Sequence, residues 1–532
     1  MKRTQADIML DLMDEKTSLG IEFGSTRIKA VLIDSTYEVI ATGTYDWENQ
    51  LVDGYWTYSL EEILKGLRTS YRQMATEVFE KYGHVLTKIG SIGISAMMHG
   101  FLAFNQAGEL LTPFRTWRNN NTTQAAEILT EQFQFNIPER WSIAHLYQAI
   151  LDQEAYVPEM NFFTTLAGYL HWQLTGNKVL GIGDASGMFP IDSKKKDYRQ
   201  DFITRFEALI AEKNYSWQVV DLLPKIQLAG EVAGHLTTQG AYLLDPTGQL
   251  QPGIPFCPPE GDAGTGMVAT NSVAPNTGNV SAGTSAFAMI VLENGLNKVH
   301  REIDMVTTPS GAAVAMVHTN NCTSEINAWM RLFTEVCQVN GLQIHQGDLY
   351  TKLFNLALLG DDNCGKLLSY GYHSGENITK IVEGRPLLVR SADSKFTLAN
   401  FMKNQIYSAF ATMKIGMDLL LDEGITIEHI VGHGGIFKTP GVAQRILSAA
   451  LQAPVGILAT AGEGGAWGMA LLAAYTKATE QSLSEFLQQQ VFVDNQGETL
   501  MATPEEIASF QAYTENYQAG LKVEALASDL MK

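Results

Sequence analysis

Apolar and polar positions form the same strand–turn–strand pattern at two distant places in the chain. In the first, residues 19–23 form a mostly apolar strand, Gly24-Ser25-Thr26 form a turn, and apolar residues alternate with polar ones towards Asp34. In the second, a strand at 278–281 is followed by the turn Gly283-Thr284-Ser285 and by a strand at 287–289. Alternation around a glycine turn predicts a β-hairpin. The chain therefore carries two copies of one hairpin.

Each of these turns joins a glycine to two hydroxyl residues, which suits the binding of phosphate. Glycine lets the backbone approach a ligand closely, and successive N–H groups and hydroxyls can donate to phosphate oxygens. For either copy alone, a plain hairpin turn is the alternative. The repeat favours two similar halves that face each other across a nucleotide.

Longer stretches with apolar residues at helical spacing lie between and after the two hairpins. They predict helices at 59–82, 122–133, 158–176, 324–339, 398–423 and 440–451, and a short amphipathic helix within 1–17. Together with the hairpins and a strand at 88–95, these helices predict an α/β protein.

A carboxylate, Asp262, lies in the glycine turn 261–264 at the head of a small-residue helix pattern, just before the second hairpin. A structural role as a helix cap is the alternative for this residue. Beside a phosphate-binding turn, a carboxylate can instead accept the proton of an attacking hydroxyl.

Three polar or aromatic positions in the first half suit a sugar ligand. His99 follows the strand at 88–95, and Trp117 and Asn119 occupy a loop before the next helix. Amides and aromatic faces bind hydroxyl groups and the CH faces of a polyol. A buried structural histidine and a helix-capping loop are the alternatives.

Glycines cluster again in the second half. Gly434 and Gly435 separate a strand at 427–431 from a helix that begins near Lys438, and Gly464 opens a further small-residue helix. So many glycines at a strand–helix turn favour a ring or a ribose lying against bare backbone.

Length and charge narrow the class of protein. A chain of 532 residues is too long for one core and predicts two domains. Lys plus Arg number 37 against 57 Asp plus Glu, and the net charge of −20 argues against a nucleic-acid partner. The four cysteines show no CxxC spacing, and the acidic N-terminus lacks the apolar run of a signal peptide. No membrane association and a cytoplasmic location are expected.

These motifs resemble, in the same order, those of the FGGY carbohydrate kinases. LGIEFGSTRIKAVLID resembles their first phosphate motif, SAMMHG the sugar-contacting segment of xylulokinases, and GDAGTG the catalytic segment. SAGTSA resembles the second phosphate motif, and GHGGIFKTPGVAQRILSAALQAPV, closed by EGGAWGMALLAA, the adenosine motif. The resemblance covers the chain from Leu19 to Tyr475.

The resemblance implies two actin-like (ribonuclease H-like) α/β lobes with a cleft between them. It implies an N-terminal extension at 1–18, a sugar-binding lobe at 19–269 and a nucleotide-binding lobe at 270–532. The cofactors would be ATP and Mg²⁺. The expected partner is a sugar or polyol substrate, and a homodimer is left open.

Roles follow from the resemblance for the residues that match its motifs. Asp262 would be the general base, and Glu22 and Asp262 would face Mg²⁺. The sugar would contact Met98, His99, Trp117, Asn119 and Asp262. The nucleotide would contact Gly24, Ser25, Thr26, Lys29, Gly283, Thr284, Ser285, Gly434, Gly435, Lys438 and Gly464.

Three departures from the family pattern bear on metal and substrate. Ala167-Gly168 stand where Lys-Asp is common before Leu174-Thr175-Gly176. Glu22 stands where the family has Asp, which lengthens the arm that reaches a metal or water, and Asn121 stands where the sugar motif usually ends in Arg. The expected activity is phosphoryl transfer from ATP to a ketopentose, with xylulose as the first candidate. A kinase for ribulose or another open-chain polyol, or a catalytically silent sugar-binding ATP switch, is the alternative.

Overall fold

The structure is a computed structural model, and it describes residues 3–458, 464–493 and 497–531. In the first half of the chain the strands are β1 (Ser18–Phe23), β2 (Arg27–Ile33), β3 (Val39–Asp46), β4 (Gln50–Val52), β5 (Tyr55–Thr57), β6 (Ser91–Ala96), β7 (Leu102–Phe104), β8 (Phe162–Thr164), β9 (Val179–Gly181), β10 (Ile191–Asp192), β11 (Asp197–Tyr198), β12 (Lys225–Gln227), β13 (Gly234–His235), β14 (Pro255–Phe256) and β15 (Glu260–Gly261). The helices are α1 (Gln5–Met13), α2 (Leu60–Tyr82), α3 (Thr123–Phe133), α4 (Ser142–Leu151), α5 (Leu166–Thr175), α6 (Ile182–Ala185), α7 (Gln200–Ile210), α8 (Val219–Leu222), α9 (Thr238–Leu244) and α10 (Asp262–Ala269).

The second half continues with strands β16 (Thr277–Ala282), β17 (Ala286–Val291), β18 (Ile303–Thr307), β19 (Ala313–Thr319), β20 (Leu367–Tyr370), β21 (Leu387–Arg390), β22 (His429–His433), β23 (Val455–Ile457) and β24 (Glu498–Leu500). Its helices are α11 (Ser324–Val339), α12 (Gln346–Ala357), α13 (Leu398–Asp422), α14 (Val442–Leu451), α15 (Gly464–Tyr475), α16 (Leu483–Phe486) and α17 (Pro504–Leu530).

The chain divides into two compact units. The first consists of Met1–Val273, Met305–Val314 and Glu463–Val493, and the second of Ala274–Asp304, Ala315–Gly462 and Asp494–Lys532. Met305–Val314 and Glu463–Val493 thus belong to the first unit, although they follow the predicted boundary between residues 269 and 270.

The first unit is built on a mixed sheet in the order β13-β14-β6-β1-β2-β3. β1 pairs antiparallel with β2 and parallel with β6, so the first glycine turn lies at the same end of the sheet as the loop that follows β6. Leu19, Ile21 and Phe23 of β1 are fully buried in its core. Hydrophobic burial of this kind supplies most of the stabilising free energy of such a unit.

Helix α15 completes the first unit from a distant part of the sequence. A Cβ on Gly20 would overlap the carbonyl oxygen of Ala466, and a Cβ on Gly468 would overlap that of Thr265. The helix therefore packs backbone to backbone against β1 and α10, which only glycine permits at these two positions.

The second unit repeats the arrangement. β16 pairs antiparallel with β17 and parallel with β22, and β23 and β24 continue the sheet beyond β22. Both predicted hairpins are thus confirmed as antiparallel pairs, each with a parallel strand beside its first member.

Most of the predicted helices are confirmed, and one is partly wrong. α2 begins after Ser59, whose hydroxyl caps the helix, and α11 spans the predicted 324–339. The segment 158–176, in contrast, contains strand β8 and the shorter helix α5. Phe162, Phe163 and Thr164 pair with β7 because aromatic and β-branched residues suit a strand, and the Thr165 side chain then caps α5.

The predicted N-terminal helix is α1, and this helix and Arg3 just before it bind to the turn that follows β2. Arg3 forms ion pairs with Asp11 and with Asp34, the latter at 3.0 Å, and Asp11 accepts the backbone N–H of Ser35 at 3.0 Å. Across residues 3–458, 464–493 and 497–531, no helix is long and apolar enough to cross a membrane.

Candidate active site

Asp262 is the first residue of α10, where strand β15 ends. Its Oδ1 accepts the backbone N–H of Met98 at 3.0 Å. Gly261 allows this approach, because a Cβ there would lie 2.9 Å from the Met98 Cγ. Burial raises the pKa of the Asp262 carboxyl, and the backbone N–H groups of Met98 and Ala263 act in the opposite direction. The carboxylate is thus half-buried and held against the segment that follows β6.

His99 lies beside Met98 in a backbone conformation that is rare outside glycine. Its φ is +70°, and Gly100 follows with a φ of +93°. The ring is buried, its Nδ1 lies 3.3 Å from the Gly187 carbonyl oxygen, and it stacks on Trp141 at 6.1 Å between ring centroids. Strained backbone of this kind persists only where the surrounding structure holds it, and it is frequent at functional sites.

Two buried carboxyl groups near Asp262, those of Glu260 and Asp184, were not predicted from the sequence. Both oxygens of Glu260 accept backbone N–H groups, from Gly183 at 3.2 Å and from Asp184 at 2.9 Å. Asp184 accepts the Thr165 hydroxyl at 2.6 Å through Oδ2, and its Oδ1 has no hydrogen-bond partner among the described residues. Burial raises the pKa of both carboxyls to about 8, and each feels a neighbouring acid: Asp184 feels Asp262, and Glu260 feels Asp184. The glycines at 181 and 183 are the sequence signal, because a Cβ at either position would overlap the Glu260 carboxylate.

Glu22 lies opposite Lys29 in the β1–β2 pair. Its Oε2 accepts the backbone N–H of Ala466, in the first turn of α15, at 3.1 Å. Burial and the nearby charge of Asp262 raise the pKa of Glu22 to about 7, while the Ala466 N–H and Lys29 act to lower it. Gly464 opens the same helix turn with a φ of +72°. Two predicted metal-facing carboxyls, Glu22 and Asp262, are therefore electrostatic neighbours.

Three aromatic side chains donate hydrogen bonds to the first glycine turn. The Trp47 indole N–H donates to the Gly24 carbonyl at 2.8 Å, and the Tyr58 hydroxyl donates to the Ser25 carbonyl at 2.6 Å. The Trp117 indole N–H donates to the Ser25 hydroxyl oxygen at 3.2 Å. Trp47 and Tyr58 stack with ring centroids 4.0 Å apart, which makes a rigid base for the turn. We call Trp47, Tyr58 and Trp117 the aromatic donors.

The side-chain amide of Asn119, a predicted sugar contact, forms its hydrogen bonds with backbone groups of the protein. Its amide nitrogen donates to the carbonyls of Trp56 at 2.9 Å and Thr116 at 3.0 Å, and its oxygen accepts the Trp56 N–H at 2.8 Å. Both donors of the amide are thus used. In this structure Asn119 fixes the loop that carries Trp117.

The second glycine turn is anchored by the residues before α11. The Gly283 carbonyl accepts the Thr323 N–H at 3.0 Å and the Thr323 hydroxyl at 2.7 Å, and the Thr284 carbonyl accepts the Cys322 N–H at 2.9 Å. Both carbonyls thus form hydrogen bonds within the second unit. The residue Thr284 is exposed and Ser285 is half-buried.

The glycine turn after β22 lies against the second hairpin. Gly434 has a φ of +114°, and a Cβ there would overlap the carbonyl oxygen of Ala282. Gly435 is exposed with open space at its Cβ position, and a short 3₁₀ helix ends at the exposed Lys438. The two sequence-predicted nucleotide segments of the second unit are therefore neighbours.

The predicted site residues fall into two groups by unit. The first unit holds Glu22, Gly24, Ser25, Thr26, Lys29, Met98, His99, Trp117, Asn119, Asp262 and Gly464, and the second holds Gly283, Thr284, Ser285, Gly434, Gly435 and Lys438. Glu463, with which the closing motif begins, lies outside the described residues. Within those residues, no group of three or more His, Cys, Asp or Glu side chains could by itself hold a metal ion.

Comparison with known proteins matches most of the chain to one family. Residues 17–268 match the N-terminal domain of the FGGY family of carbohydrate kinases, and residues 278–477 match its C-terminal domain. A xylulose kinase of Haemophilus influenzae is 21% identical over 457 residues, which cover 79% of this chain and 83% of that protein.

Solved structures share the fold at low identity. The ligand-bound xylulose kinase from Lactobacillus acidophilus has a TM-score of 0.78 at 15% identity, covering 97% of this chain and 99% of that one. The gluconate kinase from Lactobacillus acidophilus has a TM-score of 0.78 at 16% identity, with the same coverage. The expected fold class, two actin-like α/β domains, is confirmed.

Proposed function

Because this chain belongs to the FGGY family of carbohydrate kinases, we propose that it transfers the γ-phosphoryl group of ATP to a hydroxyl of a ketopentose, with xylulose as the first candidate. The coarser activity, an ATP-dependent carbohydrate kinase, follows from the family. The sugar and the roles of individual residues are the proposal.

One hydrogen bond carries the assignment of roles. The Met98 N–H donates to Asp262 Oδ1 at 3.0 Å, so the carboxylate is tied to the Met98-His99-Gly100 segment that resembles the xylulokinase sugar motif. A general base has to be within hydrogen-bond reach of the hydroxyl that it deprotonates. A sugar bound against Met98 and His99 would present a hydroxyl to Asp262.

The chemistry requires little more than positioning and charge stabilisation. The acceptor oxygen forms a bond to the γ-phosphorus, the bond from that phosphorus to the bridging oxygen of ADP breaks, and Asp262 takes the hydroxyl proton. Backbone N–H groups and a cation stabilise the charge on the transferred group. The raised pKa of Asp262 suits this role, since it strengthens the carboxylate as a base.

The carboxyl groups of Glu22 and Asp262 fit Mg²⁺. Mg²⁺ is commonly bound through one or two carboxylates together with substrate phosphates, and not by a full protein cage. Burial, together with the charge of Asp262, raises the pKa of Glu22 to about 7, and a cation bound there would stabilise both carboxylates. Bound there with ATP, Mg²⁺ would neutralise phosphate charge during transfer.

Names of similar proteins support xylulose without excluding other acceptors. A relative and a solved structure are both named xylulose kinases. The runner-up is another open-chain acceptor, ribulose or a polyol, and the neighbour named gluconate kinase adds a sugar acid to that group. Asn121, which replaces a usual Arg, favours a neutral contact at that position and thus keeps the polyols in consideration.

A coupled assay of ADP release over a panel of acceptors tests the proposal. The panel contains xylulose, ribulose, gluconate, glycerol and several pentitols, each with saturating Mg²⁺ and ATP. We expect the highest kcat/KM with xylulose. A higher value with another acceptor reassigns the substrate, and ATP hydrolysis with transfer to none of them favours the ATP switch. A cytoplasmic location and a homodimer remain predictions.

A further inference from the structure

Trp117 touches the phosphate turn with one edge and leaves part of its ring open. Its indole N–H donates to the Ser25 hydroxyl oxygen at 3.2 Å, and 39% of the residue is exposed. The same residue belongs to the predicted sugar contacts, because an aromatic face stacks on the CH groups of a sugar. Trp117 is therefore a direct physical link between the proposed acceptor site and the first phosphate turn.

The direction of this hydrogen bond determines what the Ser25 hydroxyl can do. A hydroxyl has one proton to donate and two lone pairs that accept. Because Ser25 accepts from the indole N–H, its own proton is free to point towards a phosphate oxygen. Without that N–H, the hydroxyl could rotate among its staggered positions and donate elsewhere.

The other aromatic donors hold the backbone of the turn independently of Trp117. Trp47 donates to the Gly24 carbonyl and, through its backbone N–H, to the Thr26 carbonyl at 3.1 Å. Tyr58 donates to the Ser25 carbonyl, and burial raises the pKa of Tyr58 to about 12, so it stays a donor at neutral pH. Loss of the Trp117 bond should therefore change the orientation of one hydroxyl and leave the loop in place.

The loop that carries Trp117 is also fixed. Asn119 binds the Trp56 backbone on both sides and the Thr116 carbonyl. The backbone of Trp117 is thus held by the protein, whereas the side-chain rotamer of the partly exposed indole is left for an acceptor packed against the ring to fix.

We propose that Trp117 is a positioning residue that couples acceptor binding to phosphoryl transfer, by holding the Ser25 hydroxyl in the orientation that donates to a phosphate of ATP. An acceptor stacked on Trp117 fixes the ring and so the hydroxyl. The inference rests on the proposed function, since it needs an acceptor and ATP to bind in the same catalytic cycle.

Coupling of this kind affects which oxygen receives the phosphoryl group. In productive turnover the acceptor oxygen forms the new bond to phosphorus, ADP leaves, and the acceptor proton goes to Asp262. In uncoupled turnover a water oxygen forms that bond, and ADP, inorganic phosphate and a proton are released. Without the Trp117 bond, acceptor binding should no longer favour the first course as strongly.

The test compares Trp117→Phe with Ser25→Ala and with the double variant. Phenylalanine keeps an aromatic face but has no N–H, and loss of one hydrogen bond corresponds to about a 3- to 10-fold change. For Trp117→Phe we expect kcat for the best acceptor to fall by about this factor, with the acceptor KM changed by less than about 3-fold. We also expect the ratio of phosphate released to sugar phosphate formed to rise.

The double variant separates coupling from packing. If Trp117 acts through the Ser25 hydroxyl, adding Trp117→Phe to Ser25→Ala should lower kcat no further, whereas independent roles give additive effects. Ser25→Thr, which keeps a hydroxyl, should retain most of the wild-type kcat. Trp217→Phe is the matched control, because its indole N–H donates only to the Val157 carbonyl, at 3.0 Å, among the contacts described.

Failure of this inference differs from failure of the proposed function. A wild type with acceptor-dependent ADP release, together with additive effects or a rise in acceptor KM alone, would show that Trp117 only binds the sugar. A wild type that transfers phosphate to no acceptor would overturn the proposed function itself. Thermal unfolding of each variant identifies any change that comes from loss of the fold.

Discussion

At the scale of a single residue, replacing one carboxylate oxygen of Asp262 by an amide nitrogen tests its role as the general base. Asp262→Asn keeps the oxygen that accepts the Met98 N–H at 3.0 Å, so α10 and the sugar segment should stay together. An amide cannot take the hydroxyl proton, and loss of general-base catalysis lowers kcat by about 10²- to 10⁴-fold. Steady-state kinetics at saturating Mg²⁺, with calorimetry for both substrates, measure the change. Asp53→Asn is the control, since Asp53 is an exposed turn residue whose φ of +50° asparagine also adopts. Wild-type kcat in Asp262→Asn would exclude it as the base.

A second residue, Glu376, predicts how stability responds to pH. One of its oxygens accepts N–H groups of Asn320 and Asn321, and burial raises its pKa to about 7. The folded protein therefore holds a proton that the unfolded chain loses above its ordinary pKa of 4.5. The unfolding free energy should fall as pH rises from about 4.5 to about 7 and change no further above that, by on the order of 3 kcal/mol at most.

Glu376→Gln removes this titration and keeps the accepting oxygen. We expect the Tm of the wild type to fall relative to that of the variant as pH increases through this range. The same exchange at the exposed Glu428 is the control. Parallel Tm curves for the wild type and Glu376→Gln between pH 5 and 8 would contradict the prediction.

At the scale of an element, the two glycines after β22 have different tasks. Gly434 has a φ of +114° and no room for a Cβ, whereas Gly435 has open space. Gly434→Ala should lower the unfolding free energy by about 1–3 kcal/mol through backbone strain and should weaken ATP binding as the turn moves away from Ala282. Gly435→Ala should leave the Tm unchanged and weaken ATP binding only if the nucleotide lies against this backbone. A Gly434→Ala variant with wild-type Tm and ATP affinity would show that the turn tolerates the strain without functional loss.

Local patterns made the hairpins predictable, and contacts between distant segments did not. The strands around Gly24 and Gly283 follow from alternation over a few residues, and α2 follows from its Ser59 cap. The bond from Trp117 joins residues 92 positions apart, and the Asn119 bond to Trp56 joins residues 63 apart. A sequence shows that such side chains can donate, but the partner depends on how the loops pack. For the same reason the buried acids Asp184 and Glu260 were missed.

At the scale of the whole molecule, the first unit depends on a helix that comes almost 200 residues after its main segment. α15 packs on β1 through Gly20 and on α10 through Gly468. A fragment of residues 1–273 therefore lacks a helix that covers its central strand. We expect it to be insoluble or to unfold without a cooperative transition, as monitored by circular dichroism. The full-length chain purified in the same way is the control, and a soluble fragment with a sharp transition would show that α15 is dispensable.

Because α15 comes late in the sequence, the first unit can complete its fold only some time after its main segment has been synthesised. A ribosome adds about 5–20 residues per second, so the interval between residues 273 and 463 lasts roughly 10 to 40 seconds. Throughout that interval the apolar strand β1 is not yet covered by α15, while residues of the second unit are already being synthesised. Slower translation lengthens the time for which β1 is exposed and can aggregate. A chaperone that binds the exposed strand would reduce this aggregation. The yield of active enzyme in a cell should thus depend on the rate of translation and the supply of chaperones as well as on the stability of the finished fold.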